Sequence, residues 1–209
     1  MLPTDNLKSN HIPTWCPGCY DFVMFIALEQ ALKSLNIPKE KVVIVYDIGC
    51  LGNMADFFKT YAVHGLHGRC VPTAVGIKLA NPELTVIAVG GDGGIYGEGL
   101  NHLLSYVRSP VDITVLVANN HLYSLTTGQA SPTTPKGSKT KSTPLGTPNI
   151  PIDPVTLLKA ADPNADVVTV DGHNPPEVIE AFKKALTAPL LSVVDVRQIC
   201  VTFGKQLSS

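Results

Sequence analysis

The chain has 209 residues, 44% of them hydrophobic, with 16 Lys and Arg against 17 Asp and Glu and a formal charge of −1. This is an ordinary soluble composition with enough apolar residues for one sizeable core, and its balanced charge leaves no footprint for nucleic acid or an anionic membrane surface. No apolar run nears the length of a membrane span and MLPTDNLKSN lacks a signal-peptide core, so a cytoplasmic chain is expected, in which five cysteines point to metal or catalysis rather than disulfides.

Residues 1–10 are polar and read as an arm or a disordered tail. The arm at 11–20 then carries Cys16-Pro17-Gly18-Cys19, a spacing that alone is ambiguous between zinc, iron–sulfur and thiol redox chemistry. A thioredoxin-like site would follow a strand and open a helix, whereas this motif precedes the first credible strand. Structural zinc would want a second such pair, and Cys50, Cys70 and Cys200 stand singly.

Apolar residues recur at helical spacing over 21–35, with Asp21 early and Lys33 late to suit the helix dipole. A β-branched run over 42–46 ends in Asp47-Ile48-Gly49-Cys50, which sets Cys50 at the C-terminal end of a strand. The glycines in His64-Gly65-Leu66-His67-Gly68-Arg69 predict a loop. Its histidines fit a structural role as well as a functional one, and Arg69 has the fork to grip a phosphate or carboxylate. A short amphipathic segment follows at 73–79.

The stretch 84–134 reads as strand, glycine turn, helix, strand and polar loop. An apolar run at 84–89 stops at Gly90-Gly91-Asp92-Gly93-Gly94, a helical pattern covers 98–107, and a second run at 113–118 ends in Asn119-Asn120. In a parallel sheet both strand ends open on the ligand-binding edge, so Asp92 and Asn120 fall at one cleft. A carboxylate and an amide oxygen are hard ligands suited to Mg²⁺, which takes its remaining ligands from water and phosphates. Gly91-x-Gly93-x-x-x-Gly97 also reads as a loosened dinucleotide fingerprint, but the Asp92 carboxylate repels a pyrophosphate unless a cation intervenes, and no acidic ribose partner follows.

Residues 121–151 are rich in Thr, Ser, Pro and Gly, carry Lys136, Lys139 and Lys141, and show no periodicity; a loop this long inside a domain is functional or disordered. Its lysines suit an anionic partner such as a nucleotide tail, or plain solvent. Helix (154–161), strand (167–170), helix (175–186, with Asn174 as N-cap) and strand (190–196) complete the pattern, and Cys200 again follows a strand end. Five short β-branched strands alternating with helices predict an α/β fold, a parallel sheet flanked by helices, as a single domain over 1–209.

Gly91-Asp92-Gly93 followed one crossover later by Asn119-Asn120 resembles the thiamine-diphosphate signature. The resemblance implies a diphosphate-binding domain in which Asp92, Asn120 and the carbonyl of Leu122 hold the Mg²⁺ that grips the diphosphate. A wider set stands in order: Trp15-Cys16-Pro17-Gly18-Cys19, Ile48-Gly49-Cys50, His67-Gly68-Arg69, Gly91-Asp92-Gly93, Thr127-Gly128-Gln129-Ala130-Ser131-Pro132-Thr133-Thr134 and Cys200. This set, covering residues 11–203, resembles the β subunit of 2-oxoacid:ferredoxin oxidoreductases. That resemblance implies a [4Fe–4S] cluster on Cys16, Cys19, Cys50 and Cys200, with Cys70 left over as a small buried apolar residue. It implies cofactor contacts from Ile48, Gly49, Cys50 and Leu51, from His67 and Gly68, from Gly91, Asp92 and Gly93, and from Asn120, Leu122, Ser124, Leu125 and Thr126. His67, Arg69, Leu125 and Thr127 fall at the substrate.

The implied reaction is oxidative decarboxylation of a 2-oxoacid, with electrons passing singly through the cluster to ferredoxin and coenzyme A taking the acyl group. The glutamate that activates the cofactor's aminopyrimidine comes, in this family, from a separate pyrimidine domain. Glu98 lies behind the diphosphate turn, so an α-type partner subunit is expected and the chain alone is expected to be inactive. The chain ends soon after Cys200, so a segment covering the site is expected to be missing. Gly94 stands where relatives often carry Asp, and Thr127 where many have Gly or Lys. The resemblance leaves pyruvate and 2-oxoglutarate both open, leaning to 2-oxoglutarate or a broad range. The competing readings are a non-oxidative thiamine-dependent decarboxylase of the phosphonopyruvate or sulfopyruvate kind, which needs no iron, and a non-enzymatic cluster or zinc module.

Overall fold

The computed structural model describes residues 7–207. Six strands form one all-parallel sheet: β1 (Val42–Tyr46), β2 (Tyr61–His64), β3 (Thr85–Gly91), β4 (Thr114–Asn119), β7 (Asp166–Asp171) and β8 (Ser192–Arg197), in the order β2-β1-β3-β4-β8-β7. Every residue of β1 and β4 is buried, as β-branched runs covered on both faces should be. Helices α1 (Asp21–Ser34) and α5 (Pro175–Thr187) cover one face; α2 (Cys70–Ala80), α3 (Leu100–Arg108) and α4 (Pro154–Ala161) cover the other, giving two apolar layers about the sheet. Among the described residues no helix is long and apolar enough to cross a membrane.

The sheet has one strand more than the sequence pattern predicts. β2 is an exposed edge strand, so its sequence, YAVH, carries neither a buried run nor alternation, and the segment read as a loop from His64 begins in it. The amino-terminal arm is also corrected. Leu7 is fully buried, the Ser9 N–H donates to the Phe57 carbonyl at 2.8 Å, and the Lys59 N–H donates to the Leu7 carbonyl at 2.8 Å. Residues 7–9 therefore pair antiparallel with 57–59, and residues 1–6 lie outside the described residues.

The helix after the glycine turn starts differently as well. Gly93–Glu98 winds as a π-helical turn before α3 takes over at Leu100. Wide π turns cluster at functional sites, and here the turn lets the chain approach its neighbours closely: a Cβ on Gly93 would collide with the ring of Tyr123. The polar loop carries a small hairpin of β5 (Leu122–Tyr123) and β6 (Gln129–Ala130).

The order of strands positions everything that follows. From β1 the chain moves to β2 on one side, and from β3 to β4 on the other. The crevice outside the carboxyl ends of β1 and β3 is thus a topological switch point, where open α/β sheets bind ligands.

Candidate functional site

A cleft of about 80 Å³ opens at that switch point. The end of β1 contributes Ile48, Gly49, Cys50 and Leu51; the end of β3 contributes Gly91, Asp92, Gly93 and Gly94. The end of β4 and the hairpin add Asn120, Leu122, Ser124, Leu125 and Thr126, and His67 closes the rim. The resemblance implied cofactor contacts from all of these except Gly94. Sheet register does the gathering, because Gly91 pairs with Ala118 and Asn119 with Arg197, so the strand ends finish level.

Asp92 is almost wholly buried, and burial pushes its carboxyl up to about 6, against hydrogen bonds from Ser131 and Thr133 that hold it down. A buried carboxylate with a raised pKa gains from a cation beside it. Asn120 Oδ1 accepts from the Leu122 N–H and from Ser124 Oγ, both at 3.1 Å, which fixes the turn that brings Leu122 to the cleft. Its neighbour Asn119 faces the interior and donates to Asp195 Oδ1 at 3.0 Å, where Tyr96 also donates at 2.9 Å. The donor set at the cleft, a carboxylate, an amide and backbone carbonyls, fits a hard divalent cation.

A second cavity, about 260 Å³, lies against the first, and Cys16, Cys19, Cys50 and Cys200 all line it. Cys50, Asp21, Asn120, Ser124 and Leu125 line both cavities. Burial, followed by the nearby charge of Asp21, pushes the Cys19 and Cys50 thiols up to about 12. Trp15 Nε1 donates to the Cys50 carbonyl at 2.7 Å, and Thr202 Oγ1 donates to Cys16 Sγ at 3.2 Å. The arm, the β1 end and the C-terminal turn are thereby tied together. Among the described residues no three His, Cys, Asp or Glu side chains are close enough to hold a single ion. A four-iron cluster makes a different demand, one thiolate per iron, and four cysteines around one cavity fit it. Cys70 is buried as expected, but it faces the Asp47 carboxylate rather than only apolar neighbours, and burial with that charge raises its thiol.

Three predicted residues stand apart from the cleft. Gly68, at φ +62°, packs against the Glu98–Gly99 backbone. Arg69 Nη1 donates to the carbonyls of Gly68 and Glu98, both at 3.2 Å, so its guanidinium braces the backbone and does not line either cavity. Thr127 lines the cysteine cavity rather than the cleft, and its hydroxyl accepts from Lys141 Nζ at 2.7 Å. Glu98, expected behind the diphosphate turn, reaches round it: its Oε2 lies 3.1 Å from His67 Nδ1.

Asp21 and Gln198 were not foreseen at the site. Asp21 is buried between the two cavities, its carboxyl pushed up to about 6 by burial, and Gln198 Nε2 donates to its Oδ1 at 2.8 Å. An acid in a first helical turn reads from sequence as a dipole partner, and only its place two residues after the C-x-x-C hinted at more.

Residues 47–196 match the family model described as "Thiamine pyrophosphate enzyme, C-terminal TPP binding domain". The chain is 44% identical over 192 residues to the 2-oxoacid:ferredoxin oxidoreductase subunit beta of Saccharolobus solfataricus, covering 91% of this chain and 63% of that protein. It is 37% identical over 199 residues to the 2-oxoglutarate synthase subunit KorB of Archaeoglobus fulgidus, covering 95% and 74%. Among solved structures, the 2-oxoglutarate:ferredoxin oxidoreductase from Magnetococcus marinus with 2-oxoglutarate, coenzyme A and succinyl-CoA bound superimposes with a TM-score of 0.92 at 32% identity, over 97% of this chain and 69% of that one. The chain thus spans less than two thirds of the length of several curated relatives.

Proposed function

The chain belongs to the family of 2-oxoacid:ferredoxin oxidoreductase β subunits, built on the thiamine pyrophosphate-binding domain, and on that premise we propose that it is the cofactor-binding half of such an enzyme. It holds thiamine diphosphate through Mg²⁺ and one [4Fe–4S] cluster, and serves the coenzyme A-dependent oxidative decarboxylation of a 2-oxoacid. The observation that carries this reading is the shared wall: the Asp92–Asn120 cleft and the four-cysteine cavity are adjacent and have Cys50 in common.

Thiamine diphosphate supplies an electron sink for decarboxylation, and an iron–sulfur cluster supplies a one-electron exit. The chain's own residues bind and orient. Asp92, Asn120 and the Leu122 carbonyl are the Mg²⁺ ligands, and bare backbone at Gly91 and Gly93 admits the diphosphate. Cys16, Cys19, Cys50 and Cys200 would hold the cluster as thiolates. His67, held by Glu98 on one ring nitrogen, stands at the rim beside the reacting end, with Leu125 and Thr127 on the substrate side.

A cleft of about 80 Å³ is small beside the roughly 300–1,000 Å³ of pockets that enclose a whole ligand. That supports a shared site, with an α-type subunit closing over the aminopyrimidine end and providing its glutamate, and with ferredoxin as electron acceptor. The relatives named for 2-oxoglutarate, and the neighbour solved with it, make 2-oxoglutarate the first substrate to try, with pyruvate beside it.

The test is anaerobic iron and sulfide analysis with thiamine diphosphate titration. About four irons and four sulfides per chain, with Mg²⁺-dependent cofactor binding, is the expected result. Iron-free protein that still binds the cofactor would replace this reading with the non-oxidative decarboxylase.

A further inference from the structure

The stretch Thr127–Thr134 contributes only its order to the family likeness, and neither cavity uses its second half. The structure gives that half a place. Ser131 Oγ donates to Asp92 Oδ2 at 2.5 Å, and Thr133 Oγ1 reaches the same oxygen at 2.6 Å. Thr133 also lies 2.9 Å from Asn119 Oδ1, so its one proton is shared between the two acceptors. Both Thr133 and Thr134 are buried.

The turn that carries these hydroxyls is itself braced. The Ser131 N–H donates to Thr134 Oγ1 at 2.7 Å, and Thr134 Oγ1 donates to the His121 carbonyl at 2.6 Å. His121 Nδ1 is 3.0 Å from the Thr133 carbonyl, and the Ile152 N–H donates to the Pro132 carbonyl at 2.9 Å. Residue 121 directly follows Asn120, so the turn links the two candidate cation ligands through a path of side-chain and backbone bonds.

A buried carboxylate that is to meet a cation needs one oxygen fixed and one left available. Outer partners of metal ligands do this fixing, and their loss typically costs 10–100-fold in metal affinity. Here two hydroxyls converge on Oδ2 of one carboxylate, from a loop about forty residues away in the chain. We propose that Ser131 and Thr133 are positioning residues of the cofactor site: they orient Asp92 for the divalent cation, and they tie cation–diphosphate binding to the docking of loop 121–151. This rests on the reading of Asp92 and Asn120 as the cation site.

The test uses the purified assembled protein with Thr133→Val, Thr133→Ser, Ser131→Ala and Asp92→Asn. Thiamine diphosphate affinity is measured by calorimetry across Mg²⁺ concentrations, and proteolysis within residues 121–151 is followed with and without cofactor. Thr133→Val and Ser131→Ala are expected to weaken binding 10–100-fold at limiting Mg²⁺, with the loss shrinking at saturating Mg²⁺ and with Thr133→Ser restoring it. Mg²⁺ and cofactor should slow proteolysis of the loop in the parent and much less in Thr133→Val. A purely architectural role would lower affinity equally at all Mg²⁺ concentrations, and that result overturns the proposal. So does affinity within about threefold of the parent in a folded variant; should Thr133→Val not fold, Ser131→Ala decides. If Asp92→Asn also binds cofactor normally, the cation site itself is wrong; if only Asp92→Asn loses it, the positioning role alone falls.

Discussion

Asp47 occupies the space that a side chain on Gly94 would need: a Cβ built there would run into its Oδ1. Asp47 is fully buried between β1 and the cleft, Oδ1 accepts from the Ile48 N–H at 2.8 Å, and the Cys70 thiol faces the carboxylate. An Asp in the place of Gly94 could not keep this arrangement, so the carboxylate at 47 and the bare backbone at 94 are coupled.

The coupling is measurable. Gly94→Asp alone should destabilise by about 1–3 kcal/mol from overpacking, with more from setting two carboxylates together. Asp47→Ala in the same chain should recover most of that loss. Urea titrations of the two single variants and the double variant form the cycle, and additive effects, with no interaction of at least about 0.5 kcal/mol, would show the two sites to be independent.

Tyr46 gives a prediction of opposite sign. Its ring is fully buried at the end of β1, yet among the described residues its hydroxyl has no hydrogen-bond partner. A buried unpaired hydroxyl costs about 1–3 kcal/mol, so Tyr46→Phe should raise stability by roughly 1 kcal/mol. A drop in the denaturant midpoint would instead reveal a bonded hydroxyl and refute this account.

The sequence made the ligand edge legible because its signals are local. β1, β3 and β4 are unbroken apolar runs that stop at Asp47, Gly91 and Asn119, and parallel pairing then levels their ends. β2 was not legible, since an exposed four-residue edge strand has no burial pattern to display. Asp21 was not either: whether the acid at a helix start faces water or a cavity depends on Gln198, 177 residues away. The same holds for Ser131 and Thr133, whose partner Asp92 is set by how a loop closes and not by any spacing in the chain.

Buried acids shape the pH dependence of the metal-free protein, Asp21 and Asp92 most clearly, with Asp195 raised by burial in the same direction. The carboxyls of Asp21 and Asp92 are pushed up to about 6 in the folded chain by burial, against about 4 for an ordinary Asp. Between those values the folded state keeps protons that the unfolded state has released. The stability these two groups contribute is therefore fully present at the acid end and is lost as pH rises from about 4 to 6, by on the order of 3 kcal/mol per group. In chelator and without cofactor, the urea midpoint should be higher at pH 5 than at pH 7. Asp21→Asn and Asp92→Asn should each flatten the profile, and a midpoint that rises from pH 5 to 7 in the parent would contradict the assignment.

Trp15 joins the cysteine arm to the strand end. Its Nε1 donates to the Cys50 carbonyl at 2.7 Å, while its ring packs edge-on against Phe22, Phe25 and Phe57. Cys16 and Cys19 sit on the arm and Cys50 on the strand end, so this bond ties two parts of the cysteine cavity together. Trp15→Phe keeps much of the aromatic packing and removes the donor, and should cost about 1 kcal/mol in fold stability. The larger effect is expected in iron retention. With the Cys50 turn no longer held, the variant should lose iron to a chelator several-fold faster than the parent, while Mg²⁺-dependent thiamine diphosphate affinity changes little because Asp92 and Asn120 are untouched. Equal iron-loss rates would show that the four cysteines hold their spacing without the indole, and a parallel fall in cofactor affinity would show that Trp15 supports the whole edge and not the cysteine cavity alone.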